Sequence, residues 1–235
     1  MSCVAWKTLS TVLVSAALAA CSSTDPAEGP GDPWQETFDV SKAELGPTGR
    51  NPYLILEPGY QLSLEKGTFV LAITVLDDTR EVDGVLTRVV EERESKDGKL
   101  VEVSRNFLAI HPRTKDVYYF GEEVDDYRDG VLVAHEGAWL SGQKGARFGL
   151  LMPGSPRVGQ KHYQEYAPGE AMDRAEVISL SGKMETPAGS FQDVLVVEET
   201  TPLEEDERER KYYAAGVGLL KDEDLLLTRY GPIPK

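Results

Sequence analysis

The sequence is short of several things, and each shortage excludes a class of protein. Cysteine is nearly missing: Cys3 and Cys21 are the two present, and the chain after Cys21 has none. Disulfides, thiolate zinc sites and cysteine nucleophiles are therefore excluded from the body of the chain. Basic residues are few, 25 Lys and Arg against 40 Asp and Glu, for a formal net charge of −15 over 235 residues. A nucleic-acid binder needs a basic face to displace counterions from phosphate, so that class is excluded. Attachment to a membrane through a polybasic surface is excluded with it. Long apolar runs are scarce too. The clearest, Thr8 to Ala19, falls short of the roughly 20 residues that a spanning helix needs. No stretch of 12 residues repeats apolar side chains convincingly at helical spacing.

What is present begins with an address. Lys7 and the α-amine precede the apolar run, which ends in Leu18-Ala19-Ala20-Cys21 followed by Ser22-Ser23. Residues 1–20 thus read as a secretory signal. The Leu18–Cys21 tetrapeptide resembles the lipobox of bacterial lipoproteins. That resemblance implies a diacylglycerol thioether on Cys21, cleavage before it and acylation of the new amine. Several acyl chains, at roughly 0.8 kcal/mol per buried CH₂, make such an anchor effectively permanent. Ser22 resembles the outer-membrane sorting pattern. The expected location is the bacterial cell envelope, as an outer-membrane lipoprotein facing the periplasm or the cell surface. The membrane is then the first expected partner, reached through Cys21. Loss of residues 1–20 leaves 24 basic and 40 acidic side chains, net −16.

Residues 21–36 hold Pro26, Gly29, Pro30, Gly31 and Pro33 with little hydrophobic content, and read as a flexible tether that can run on to about residue 49. A single domain follows over 50–232. Its expected class is mainly β: one antiparallel meander, a curved sheet or partly open barrel with few short helices. Asp83-Gly84, Asp97-Gly98 and Asp129-Gly130 carry the strongest signal, because Asp-Gly readily supplies the positive φ angles of tight hairpin turns. Between them, runs such as Val101, Val103, Phe107 and Ala109 alternate with Glu102, Ser104 and Asn106. A short helix is expected near Glu36–Leu45. Glu204–Lys211 reads as either a helix or an exposed strand.

Several motifs resemble those of a broad group of uncharacterised bacterial secreted proteins. They are Asn51-Pro52-Tyr53 with Leu56-Glu57-Pro58-Gly59, Tyr118-Tyr119-Phe120-Gly121-Glu122, Gln164-Glu165-Tyr166, Pro187-Ala188-Gly189-Ser190-Phe191 and Lys211-Tyr212-Tyr213-Ala214. The resemblance brings no activity with it. An acidic all-β lipoprotein domain also resembles, in architecture alone, the curved half-barrels of lipoprotein carriers.

Catalytic chemistry finds little support. Ser155 and Ser190 sit in Pro-Gly-Ser-Pro and Ala-Gly-Ser-Phe, which read as turns rather than nucleophile elbows. His111, His135 and His162 lack metal-ligand spacing, and Asp125, Asp129 and Glu136 only imitate a calcium loop, so neither a metal nor a cofactor is expected. Glu165, Glu170, Asp173 and Glu176 flank the Gly169 turn and read as a solvated loop. If they converge, Glu165, Glu170 or Asp173 with His162 offers a hydrolase or metal-dependent site. The aromatic residues suggest something else. Should the sheet curl, Tyr118, Phe120, Trp139 and Tyr166 are the candidates to line an apolar groove for an acyl chain or other hydrophobic ligand. The expected function is a non-enzymatic binding role on the concave face of a lipid-anchored domain. The alternatives are an interaction module of an envelope protein complex and, in another class, the carboxylate enzyme.

Overall fold

A computed structural model of the chain describes residues 33–233. The signal, the lipobox with Cys21 and the start of the tether lie outside those residues. The domain is built from one nearly continuous antiparallel sheet and a separate two-stranded hairpin at its start. The strands are β1 (Gly49–Asn51), β2 (Leu54–Leu56), β3 (Tyr60–Lys66), β4 (Phe69–Val82), β5 (Val85–Lys96), β6 (Lys99–Ile110), β7 (Val117–Arg128), β8 (Val131–Ala134) and β9 (Trp139–Leu140). They continue with β10 (Arg147–Met152), β11 (Lys161–Tyr163), β12 (Glu165–Tyr166), β13 (Arg174–Thr186), β14 (Gly189–Thr201), β15 (Glu204–Ala214), β16 (Gly218–Asp222) and β17 (Leu225–Pro232). The expected mainly-β class is what the chain adopts.

The three Asp-Gly pairs are the hairpin corners. Asp83, Asp97 and Asp129 have φ of 50°, 52° and 51°, each followed by a glycine at positive φ, and each pair joins strands in tight register. Such mirror-image turns match the right-handed twist of the strands they connect. From them follows a meander, β3-β4-β5-β6-β7, and a second, β13-β14-β15-β16-β17, joined where β17 pairs with β3. The other join is indirect. β11 pairs with β13 and β12 pairs with β10, and Gln164 alone separates β11 from β12. One segment therefore bridges the two free edges, and the sheet curls into a nearly closed barrel. The bridge depends on Gly149 in β10, where a Cβ would lie 2.2 Å from the Gln164 carbonyl oxygen.

The β1–β2 hairpin closes one end. Asn51, fully buried, donates from Nδ2 to the carbonyls of Lys115 (2.8 Å) and Pro153 (3.0 Å), while its Oδ1 accepts from the Tyr53 amide at 2.7 Å. The Gly216 amide donates to Pro52 at 2.7 Å, tying the hairpin to the β15–β16 turn.

The folded body begins before the expected boundary at residue 50. Trp34 meets Tyr163 edge-on, Gln35 bridges to His162, and Phe38, Val40 and Leu45 pack on the outside of the barrel. The reason is apolar burial: Val89, Phe107, Ala109, Tyr118, Phe120 and Leu150 form an outward-facing layer that these residues cover. The helix expected near Glu36–Leu45 is a single 3-10 turn, Lys42–Glu44. Glu204–Lys211 is strand.

Candidate functional site

Inward-facing residues are set by alternation, and one bulge changes the count. Asn106 of β6 pairs with Glu122 of β7, but Leu108 pairs with Tyr119, so β7 carries an extra residue at Phe120-Gly121. A bulge of this kind resets which side the strand's residues face. Tyr119 and Glu122 both point into the barrel as a result. Tyr118 and Phe120 point outward.

The interior holds two spaces. A chamber of about 90 Å³ near the closed end is lined by apolar side chains, among them Leu54, Ile73, Val75, Leu108 and Leu151, and by Tyr53, Tyr60, Tyr119 and Tyr213. Among the described residues, four carboxylates share that lining, Glu92, Glu165, Asp173 and Glu199, and no lysine or arginine does. A wider mouth of about 570 Å³ at the opposite end is bounded by Phe69, Tyr127, Glu94, Glu102, Asp222 and residues of the adjoining turns. Lys211 is 1% exposed and stands between the two spaces, 3.0 Å from Glu199 on the chamber side and 3.6 Å from Asp222 at the mouth.

Hydrogen bonds knit part of this lining together. Trp139 donates from Nε1 to Glu165 at 2.7 Å, and Gln164 donates to Glu199 at 3.0 Å. Tyr119 donates to Asn106, whose Nδ2 donates to Glu92 at 3.2 Å. Glu122 is buried to 1% exposure beside these groups, yet its Oε1 has no hydrogen-bond partner among the described residues.

Loss of water raises the acid pKa values throughout. Burial pushes Glu92 up to about 8, against the pull of Lys211. It takes Glu122 to about 7, with the charges of Glu165 and Asp173 adding to the effect, and Asp173 to about 7, reinforced by Glu165 and Glu199. At the mouth, burial carries Glu94 to about 7, Glu102 to about 8 and Asp222 to about 7. Each favours the neutral acid in a place where charge is poorly solvated.

The candidate residues separate as follows. Tyr118 and Phe120 belong to the outer layer, where Phe120 stacks on Phe148 at 4.9 Å and Tyr118 meets Phe38 and Phe148 edge-on. Trp139 is buried against Tyr119 and orients Glu165 without lining the chamber. Tyr166 packs on Tyr163, with the Arg147 guanidinium 3.7 Å from its ring centre. Of the enzyme set, Glu165 and Asp173 share the chamber, while Glu170 lines only a small rim pocket with Asp173, Glu199 and Glu204. His162 lines neither space. Both its ring nitrogens lack hydrogen-bond partners among the described residues, and burial lowers its pKa to about 4. Four residues therefore do not form one catalytic constellation. Among the described residues, no three His, Cys, Asp or Glu side chains are grouped to hold a metal ion.

His111 accepts from the Arg113 and Thr114 amides and caps a turn, and His135 bonds Val124 O at 2.7 Å on the surface. Asp129 pairs with Lys99, and Asp125 pairs with Arg105 and His135, in a hairpin rather than a calcium loop.

Of the inward carboxylates, Glu165 and Asp173 are two that the sequence reads as part of a solvated loop. A usable signal was Glu92 and Glu94, which continue the face of Val90 at intervals of two. No family model, curated protein or solved structure matches the chain.

Proposed function

We propose that the chain is a non-enzymatic binding protein of the bacterial envelope, anchored through a lipidated Cys21, that holds a small ligand inside the barrel. The observation that carries this reading is the chamber itself: an apolar and aromatic space, closed at one end by β1–β2, with a few polar groups converging on it. Sites for small molecules have this composition. Among the described residues the chamber wall carries carboxyl groups and no lysine or arginine, so it offers no ion-pair partner to a fatty-acid headgroup. The ligand's apolar body, rather than an anionic head, is what the chamber accepts.

Native mass spectrometry of the chain carrying Cys21→Ser tests the reading. Retention of a small organic ligand from the producing cell, or saturable uptake of one from a panel of short amphiphiles, is the expected result. A clean ligand-free mass with no uptake overturns it. Labelling with an alkyne fatty acid tests the anchor: the wild type is labelled and Cys21→Ser is not.

A further inference from the structure

Resting on that binding reading, we infer that the molecule held in the chamber is small and uncharged, with one hydrogen-bond acceptor that meets the hydroxyl of Tyr213. The space is about 90 Å³. That is roughly three times the share of one water in the liquid, so it takes a body of a few heavy atoms.

The ionisable groups of the wall are already engaged. Glu165 accepts from Trp139 at 2.7 Å, and Glu92 accepts from Asn106 at 3.2 Å. Glu199 accepts from Gln164 at 3.0 Å and pairs with Lys211 at 3.0 Å. Asp173 is not free either. Asn106 in turn accepts from Tyr119, and the Tyr60 hydroxyl donates to Val217 O at 2.8 Å. A charged group entering from water loses its hydration here and finds its counter-charges held within the fold.

Tyr213 differs. It lines the chamber beside apolar side chains such as Ile73 and Leu108, and its hydroxyl makes no hydrogen bond among the described residues. Burial holds the phenol well above its usual range, so it stays protonated and able to donate. A buried O–H without an acceptor costs free energy. A carbonyl or ether oxygen removes that cost and brings no donor that needs a partner of its own. Tyr53 is the other phenol of this wall without a hydrogen bond from its hydroxyl, and burial raises its pKa less far.

Butan-2-one, sec-butylammonium chloride and sodium 2-methylbutanoate present similar bodies with a carbonyl, a cation and an anion. Each is titrated into the chain carrying Cys21→Ser at neutral pH and followed by protein NMR shifts. Butan-2-one is expected to bind at least about tenfold more tightly than either ion. Tyr213→Phe removes only the hydroxyl and should weaken butan-2-one about fivefold, while Tyr53→Phe leaves it unchanged. A preference for either ion, or equal binding of all three, overturns the uncharged ligand and leaves the binding reading standing. Full affinity in Tyr213→Phe, or a loss in Tyr53→Phe instead, overturns the assigned donor. If none of the three binds, this inference fails; the binding reading fails with it only where native mass spectrometry also finds the chain empty.

Discussion

Arg88 and Glu122 are both buried charged groups of the same barrel wall, and they are treated differently. Arg88 lies on the face of β5 opposite to Val89, beneath residues 47–48. Its Nε donates to Pro47 O at 3.1 Å, Nη2 to Thr48 Oγ1 at 2.7 Å and Nη1 to Asp77 O at 2.7 Å, so every nitrogen is used. Glu122 lies inside with Oε1 unmet. The outer layer is likewise dry and interlocked, with Phe120 stacked on Phe148 and Tyr118 edge-on to Phe38 and Phe148. Around Glu122 are more carboxylates. The first region is organised for stability. The second keeps groups whose needs the fold alone does not meet, as expected where a site is retained for binding at a cost to stability.

The largest effect expected from breaking this contrast lies in the outer layer. Phe120 is fully buried, and Phe120→Ala removes its stack with Phe148 and leaves a cavity between the barrel and the covering segment. A loss of about 4 kcal/mol is expected in urea denaturation, nearly independent of pH between 5.5 and 8.5, since no titrating group is involved. Ligand affinity should not change. A small, pH-dependent loss would show that the outer layer is not the dry region described.

Lys211→Met strikes the interior instead. It leaves Glu199 and Asp222 facing each other without their shared cation, and removing one partner of a buried pair costs about 3 kcal/mol. This penalty should depend on pH. At pH 5.5 Asp222, raised to about 7 by burial, is protonated and the loss shrinks; at pH 8.5 it is charged and the loss is full. Denaturation at the two pH values checks it, and equal losses would contradict an acid-dominated interior.

Much of the outer architecture was legible in the sequence, and the interior was not. Asp83-Gly84, Asp97-Gly98 and Asp129-Gly130 announce hairpins because few dipeptides take two positive φ angles so readily. The first strands follow from simple alternation in Val101–Ala109. Two things escaped. The first is the bulge at Phe120-Gly121, which divides the Tyr118-Tyr119-Phe120 run between the two faces; alternation from Tyr118 alone puts the wrong pair inside. The second is the sign of burial. Glu91-Glu92-Arg93-Glu94 is charged at every position, so the strand's inward side cannot be told from its outward one by polarity, and charge in a strand normally means solvent. The covering segment escaped for a related reason: Phe38, Val40 and Leu45 are too widely spaced to signal a strand, and only the outer layer gives them a place.

The smallest effect expected is also the one that sharpens the contrast most. Glu92, Glu94, Glu102, Glu122, Asp173 and Asp222 have folded pKa values of about 7 to 8. In the unfolded chain such groups titrate near 4. Above that, the folded state holds more protons than the unfolded one, so stability is fullest below pH 4 as far as these groups are concerned and is lost as pH rises through 7 to 8. Glu57, Asp83 and Asp224 have lowered pKa values and act oppositely, but in the acid range. Wild-type protein should therefore melt a few degrees lower at pH 8.5 than at pH 5.5. Glu122→Gln removes one ionising acid from that set. It should raise stability more at pH 8.5 than at pH 5.5, by about 2 kcal/mol, because over that range the native acid ionises while the unfolded one is already charged. Replacing Arg88 gains nothing at any pH, because its partners are complete. If Glu122→Gln instead destabilises at pH 8.5, the carboxylate has a partner within the fold and the interior is built like the exterior. A gain in stability on removing the charge means that this carboxylate is not held in place for the barrel.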